Sequence, residues 1–143
     1  MYTVFIFLLI LFFIISCKPE NKLDLIVEPF ENCTDEPDLD DILYARLTEE
    51  LPPLKQTSNF ILKGKIIEYK KLPVSFDKKE YMLFLKIKIF IFDKQKNKNF
   101  YQKEYIINQS YTYGDEQEAK QILLQELTKE MVLELCQIFI KQR

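Results

Sequence analysis

The chain has 143 residues, with no histidine, no tryptophan, two glycines, six prolines and three cysteines. Without histidine, the commonest general base and the commonest metal ligand are both missing. So little glycine leaves no Gly-rich phosphate loop, and no zinc-ligand spacing occurs. Carboxylate chemistry is the remaining enzymatic route. Its obvious seat is the cluster Asp35, Glu36, Asp38, Asp40 and Asp41. That cluster lacks the spacing of an EF-hand calcium loop, and fits better as the capped, solubilised start of a helix. The expectation is therefore a protein that is not an enzyme and holds neither metal nor cofactor. The scarcity of glycine and proline also excludes a linker or low-complexity chain, and no internal repeat is visible.

What is present is core-forming material: 48% hydrophobic and 14% aromatic residues, enough for one domain of ordinary size. The net charge of −2 conceals an asymmetry. Residues 17–51 carry 3 Lys/Arg against 11 Asp/Glu, residues 55–105 carry 13 against 5, and residues 106–143 carry 4 against 6. A basic middle in a nearly neutral chain points to an anionic partner for that part. The plain alternative is lysine scattered over every solvated position, and position on the fold decides between them.

The first residues bear on where the protein resides. Tyr2–Ser16 is free of charge and helix breakers. At about 1.5 Å per residue it spans roughly 22 Å, short of the ~30 Å hydrocarbon core. A single-pass span is thus the poorer reading, and a signal-peptide h-region the better one. Ile14-Ile15-Ser16-Cys17 resembles the lipobox of bacterial lipoproteins, in which the cut precedes the cysteine and the cysteine is acylated. Met1-Tyr2-Thr3 carries no Lys or Arg, and Ile15 stands where a smaller residue is usual. The expected organisation is a lipoprotein signal peptide over 1–16, a tether from lipidated Cys17 to residue 22, and one domain over 23–143. Cys33 and Cys136 then remain, either as a disulfide in an oxidising compartment or as two separate thiols.

Hydrophobic periodicity orders the rest. "LDLIVEPF" (23–30) reads as a strand, and "ENCTDEPD" as a polar turn. Leu39, Ile42, Leu43, Leu47 and Leu51 form one helical stripe, opened by Asp38 as N-cap and stopped by Pro52-Pro53. Residues 59–71, 80–93 and 99–113 read as strands, with "LPVSFDKK" as the loop between the first two. Asp115 and Glu118 form a capping-box variant ahead of a last helix reaching about Lys141, with Leu124, Leu127, Met131, Leu135 and Ile138 on its apolar face. The fold class is α+β: a two-layer β-α-β-β-β-α domain with two helices packed on one face of a four-stranded mixed sheet. Alternation in 80–93 places Leu83, Leu85, Ile87, Ile89 and Ile91 under the helices. Met82, Phe84, Lys86, Lys88, Phe90 and Phe92 then face outward. Lys63 and Lys65 share a parity with Ile61, Ile67 and Tyr69. If that parity is also outward, Lys63, Lys65, Lys86 and Lys88 gather on one open surface edged with aromatics.

The ordered set Pro29, Phe30, Asn32, Thr34, Leu62, Gly64, Ile66, Tyr81, Asp93, Tyr113, Glu118 and Ala119, behind a lipobox, resembles the LPS-assembly lipoprotein family (LptE). The resemblance covers nearly the whole chain after Cys17. It implies a lipid-anchored lipoprotein on the periplasmic face of the outer membrane. Such a protein plugs the lumen of the LPS-translocon β-barrel (LptD), aids its assembly and binds lipopolysaccharide; nucleic acid is not expected as a partner. Lys63, Lys65, Lys86 and Lys88 are the candidate LPS contacts, since lysines beside aromatics suit the phosphates and acyl chains of lipid A. A solvated or barrel-facing polar sheet is the competing use of the same four residues. Leu72-Pro73 lies where family members use a loop to engage the barrel, and an ordinary turn is the alternative there. The rival assignment is another outer-membrane assembly or secretion lipoprotein on a similar scaffold, pilotin-like or part of a secretion channel.

Overall fold

Aliphatic residues alternating with charged or aromatic ones make residues 80–93 the middle of a sheet with unlike faces. The computed structural model describes residues 22–140. Its elements are β1 (Ile26–Val27), β2 (Glu31–Asn32), α1 (Leu39–Glu50), β3 (Phe60–Ser75), β4 (Glu80–Asp93), β5 (Lys98–Thr112) and α2 (Glu116–Ile140). β3, β4 and β5 form an antiparallel meander, while β1 and β2 pair in parallel with the outer edge of β3. Both helices lie on one face, giving the expected two-layer α+β arrangement.

The core is the aliphatic half of that alternation. Leu83, Leu85, Ile87, Ile89 and Ile91 are buried beneath Leu39, Leu43 and Leu47 of α1 and Leu123, Leu124, Leu127, Met131 and Leu135 of α2. Full burial of each such side chain contributes about 1.5–3 kcal/mol, which is what holds the two helices, themselves in contact through Arg46 and Gln121, to the sheet. At one end, Phe60, Phe100 and Phe139 meet edge to face and seal the layer, with Phe60–Phe100 ring centroids 5.2 Å apart.

The structure corrects the sequence reading in four places. The first strand is not continuous: it breaks at Glu28-Pro29-Phe30, where Phe30 turns into the core, and pairing resumes over Glu31–Asn32 in the segment read as a turn. Asp38 occupies the N-cap position of α1 in a left-handed conformation, φ 63°, and its side chain makes no capping bond. The loop ahead of the helix is ordered instead by Asn32. Its Oδ1 accepts from Thr34 N at 3.0 Å and Thr34 Oγ1 at 2.8 Å, and its Nδ2 donates to Glu36 O at 2.8 Å.

The third correction concerns parity. The β3–β4 register slips between Ile66 and Glu68, so Glu68 rather than Ile67 stands opposite Lys86 and Tyr69 opposite Leu85. A bulge inserts one unpaired residue and reverses the parity beyond it. Tyr69 therefore joins the helix-covered side, against the core, instead of sharing the open face with Lys63 and Lys65. Fourth, Leu72 and Pro73 are strand residues, paired with Met82 and Tyr81, rather than members of a loop. Proline is tolerated there because β3 has no described neighbour on its other side past Ile66. Cys33 and Cys136 are both free thiols.

Candidate functional site

The face of the sheet away from the helices is uncovered among the described residues, and Lys63, Lys65, Lys86 and Lys88 all lie on it. Register fixes their neighbours. Lys65 stands opposite Lys88, Lys63 opposite Phe90, and Lys70 opposite Phe84. On the other side of β4, Lys88 faces Glu104 and Lys86 faces Ile106. Two lysines directly opposed would repel. The sheet answers with carboxylates placed around them.

Lys63 Nζ lies 3.8 Å from Glu28 Oε2, Lys65 Nζ 3.5 Å from Glu31 Oε1, and Lys86 Nζ 3.2 Å from Glu104 Oε1. Lys70 pairs with Glu68 beside them. Lys88 has no ion pair among the described residues; its ammonium lies 5.8 Å from the Phe90 ring centroid, as Lys63 lies 5.5 Å from that of Phe92. The surface is therefore a mosaic of compensated charges and aromatic faces, and Lys88 is the member of the four left without a carboxylate. Sequence parity placed the lysines correctly but gave no sign of Glu28 and Glu31. Those arrive from β1 and β2, whose pairing partner along the chain no local pattern reveals.

A second concavity lies at the far end of the same three strands, on the helix side, where β3 and β4 run past the start of α2. It is a cleft of about 630 Å³ lined by Lys71, Pro73, Phe76, Tyr81, Tyr111, Tyr113 and the first turn of α2. Tyr81 and Tyr111 stack with centroids 5.5 Å apart and planes 25° apart. Lys71 pairs with Glu116, and this hydrogen bond raises the ammonium's pKa above its ordinary value. Burial, followed by the Glu116 charge, raises the Tyr111 phenol. Phe76 at the hairpin tip is 82% exposed. Sequence reading missed the grouping. Its signal was the shared inward parity of Tyr81 and Tyr111 just where the aliphatic run gives out.

Between the two helices and the sheet, Lys120 Nζ donates to Glu36 Oε1 at 2.7 Å and lies 5.9 Å from the Tyr69 ring centroid. Burial raises the Tyr69 phenol well above its ordinary range, with Glu36 and Glu116 adding to the effect. On the opposite flank, Tyr101 donates to Glu134 Oε1 at 2.6 Å and Lys103 to Glu134 Oε2 at 3.1 Å. Those two donors hold the Glu134 carboxyl below its ordinary value. Both clusters fasten α2 to its surroundings.

No three acidic or cysteine side chains gather as a cation site among the described residues, and none of the described helices is long and apolar enough to cross a membrane. The expected lipidation site, Cys17, lies outside the described residues.

No protein-family model matches the chain, and no curated protein does. Solved structures do match in shape. A protein of Xanthomonas campestris from family DUF330 superposes with a TM-score of 0.66 at 9% identity, covering 89% of this chain and 91% of that one. The PelC dodecamer of Paraburkholderia phytofirmans gives 0.56 at 11% identity, over 80% and 86%. A minor lipoprotein of Acinetobacter baumannii gives 0.53 at 17% identity, over 84% and 93%. At these identities the likeness is one of fold: two helices on one face of a mixed sheet, a scaffold found in bacterial lipoproteins.

Proposed function

We propose that this protein is an outer-membrane lipoprotein, anchored through Cys17 on the periplasmic face. In this reading it seats in the lumen of an LptD-like LPS-translocon β-barrel, aids its assembly, and binds lipopolysaccharide. The observation that carries the reading is the open sheet face. Three strands of 14 to 16 residues present it. At about 3.3 Å per residue they reach roughly 50 Å. Lys63, Lys65, Lys70 and Lys86 on it are matched by Glu28, Glu31, Glu68 and Glu104. The interior of a wide membrane barrel is polar, so a long surface of compensated charge and aromatic rings suits its wall.

Charge compensation also orders the two uses of the lysines. A phosphate approaching Lys63, Lys65 or Lys86 competes with a carboxylate already in place, whereas one approaching Lys88 does not. Barrel contact therefore takes the face as a whole, and Lys88 is the position left for a lipid A phosphate. The described chain begins beside Leu54, where Leu23 bridges it, and the β3–β4 hairpin tip lies at the other end of β3. The former barrel-loop candidates Leu72 and Pro73 sit in the strand leading to that tip, beside exposed Val74 and Phe76. As a non-enzyme, the protein would act by binding alone.

Depletion in cells tests the assignment. Loss of lipopolysaccharide from the cell surface supports it. Loss of a secreted fibre or pilus with normal surface lipopolysaccharide would instead favour a pilotin-like or secretion-channel lipoprotein.

A further inference from the structure

The outer edge of β3 is half occupied. β1 and β2 lie along its first part, through Ile26↔Ile61, Val27↔Leu62, Glu31↔Lys65 and Asn32↔Ile66. The last bond on this edge is Cys33 N to Ile66 O, at 3.0 Å. The chain then turns away over Thr34, and the Glu36–Lys120 ion pair holds the turn against α2. From Ile67 to Ser75, no described strand lies on that side of β3.

We propose that this bare half-edge takes an extended segment of another polypeptide by strand addition, continuing the track of β2. The exposed backbone defines the occupant. Leu62 and Ile66 face the helices and turn their carbonyls to this edge, accepting from Glu28 N and Cys33 N. Beyond the bulge, Tyr69, Lys71 and Pro73 hold the same relation to β4, opposite Leu85, Leu83 and Tyr81. Tyr69 and Lys71 therefore turn both N–H and C=O outward, and Pro73 its C=O. Donors and acceptors repeated at every second residue match another strand and no compact ligand. Pro73, lacking an N–H, ends the ladder.

Side chains sharpen the choice. A groove of about 430 Å³ runs between this edge and the departing turn, lined by Asp35, Glu36, Tyr69, Lys70, Lys71 and Leu72. Asp35 has no ion pair among the described residues, while Lys70 and Lys71 are already engaged by Glu68 and Glu116. The Tyr69 hydroxyl is buried with no hydrogen-bond partner among the described residues. A strand bearing one lysine or arginine toward Asp35, and apolar residues beside Leu72, satisfies the groove.

The test uses the full chain, isotope-labelled in detergent micelles, with two probe peptides. One is an eight-residue peptide alternating valine and threonine with one central lysine. The other has the same sequence, N-methylated at every residue that would donate to β3. The first peptide is expected to bind saturably and to slow amide hydrogen exchange at Tyr69 and Lys71 ten-fold or more, with no protection from the second. Asp35→Asn should weaken the lysine peptide about three- to five-fold, and leave a peptide with valine for lysine unaffected. Absence of protection with the first peptide, equal protection by both, or protection along β5 instead would overturn strand addition here. An unchanged affinity in Asp35→Asn would overturn the preference for a cation.

Discussion

The Phe30 ring lies directly over Gly64: a Cβ placed on Gly64 would fall 2.4 Å from Phe30 Cδ1 and 2.6 Å from Cε1. Phe30 is buried where the edge breaks between β1 and β2, so the ring has no free direction in which to yield. The break in the edge and the missing side chain at Gly64 are one packing feature. It locks β1 and β2 to the middle strands.

Gly64→Ala is therefore expected to destabilise the domain by about 1–3 kcal/mol, the cost of overpacking a closed core. In a Phe30→Leu background the same substitution should cost much less, because the clashing ring atoms are gone. Urea denaturation of the four proteins of this cycle measures the coupling. Additive effects would show that the ring is not what excludes a side chain at position 64.

This pair also shows what the sequence made legible. Phe30, Asn32, Thr34 and Gly64 stood out as motif residues, and all four have a physical role in the fold. Phe30 packs its ring on Gly64, while Asn32 holds Thr34 in an Asx-type turn. The alternation over Leu83–Ile91 was readable because every second residue is aliphatic, and it oriented the whole sheet correctly. Tyr69 was placed on the wrong face because a bulge depends on pairing across the sheet, and nothing in "KIIEY" marks it. The compensation of Lys63 and Lys65 was invisible for a similar reason. Their partners Glu28 and Glu31 lie more than thirty positions away in sequence and arrive through parallel pairing. No sequence pattern singled out Lys120, yet its side chain is 9% exposed.

That buried lysine carries a second expectation. Glu36→Gln leaves Lys120 with a weaker acceptor and should lower stability by about 1–3 kcal/mol, the range for a charged group losing its partner. Lys120→Met removes the charge while keeping an unbranched chain against Tyr69, and should be better tolerated than Lys120→Ala. Thermal melts of the three variants decide. Equal losses for Met and Ala would mean that the alkyl stem contributes nothing.

A third expectation concerns acid. Glu134 receives hydrogen bonds from Tyr101 and Lys103, which depress its pKa below the ordinary 4.5. A carboxyl depressed in the folded state contributes stability above its unfolded value, and loses it as pH falls through the folded value. Wild type and Glu134→Gln should differ most near neutrality and converge as pH falls through the depressed folded-state value, in denaturation series from neutral to acid. A difference that stays constant with pH would show that the contribution is packing alone.

The lysines of the open face should not behave alike. Lys88→Glu breaks no ion pair, and repulsion from Glu104 opposite it is offset by Lys65 on its other side. It should weaken lipopolysaccharide binding about five-fold, on roughly 1 kcal/mol per exposed pair, with little change in thermal stability. Lys86→Glu sets a carboxylate against Glu104, 3.2 Å from the present ammonium, and should also lower the melting temperature. Binding measured on protein from Lys18 onward, with circular dichroism as the folding control, separates the two. Unchanged affinity in folded Lys88→Glu would leave barrel contact as the use of that surface.

The central claim is that the uncovered sheet face is the surface that meets a barrel. Photo-cross-linking in intact cells tests it most directly. A photoreactive residue is placed at position 88 on the open face and, in a separate strain, at position 133, an exposed point on α2. The expected result is an adduct from position 88 with a large outer-membrane β-barrel, identified by mass spectrometry as an LptD-like translocon. Position 133 should give little or none. Adducts from position 133 alone, or a position-88 adduct with a secretion channel instead, would contradict the account.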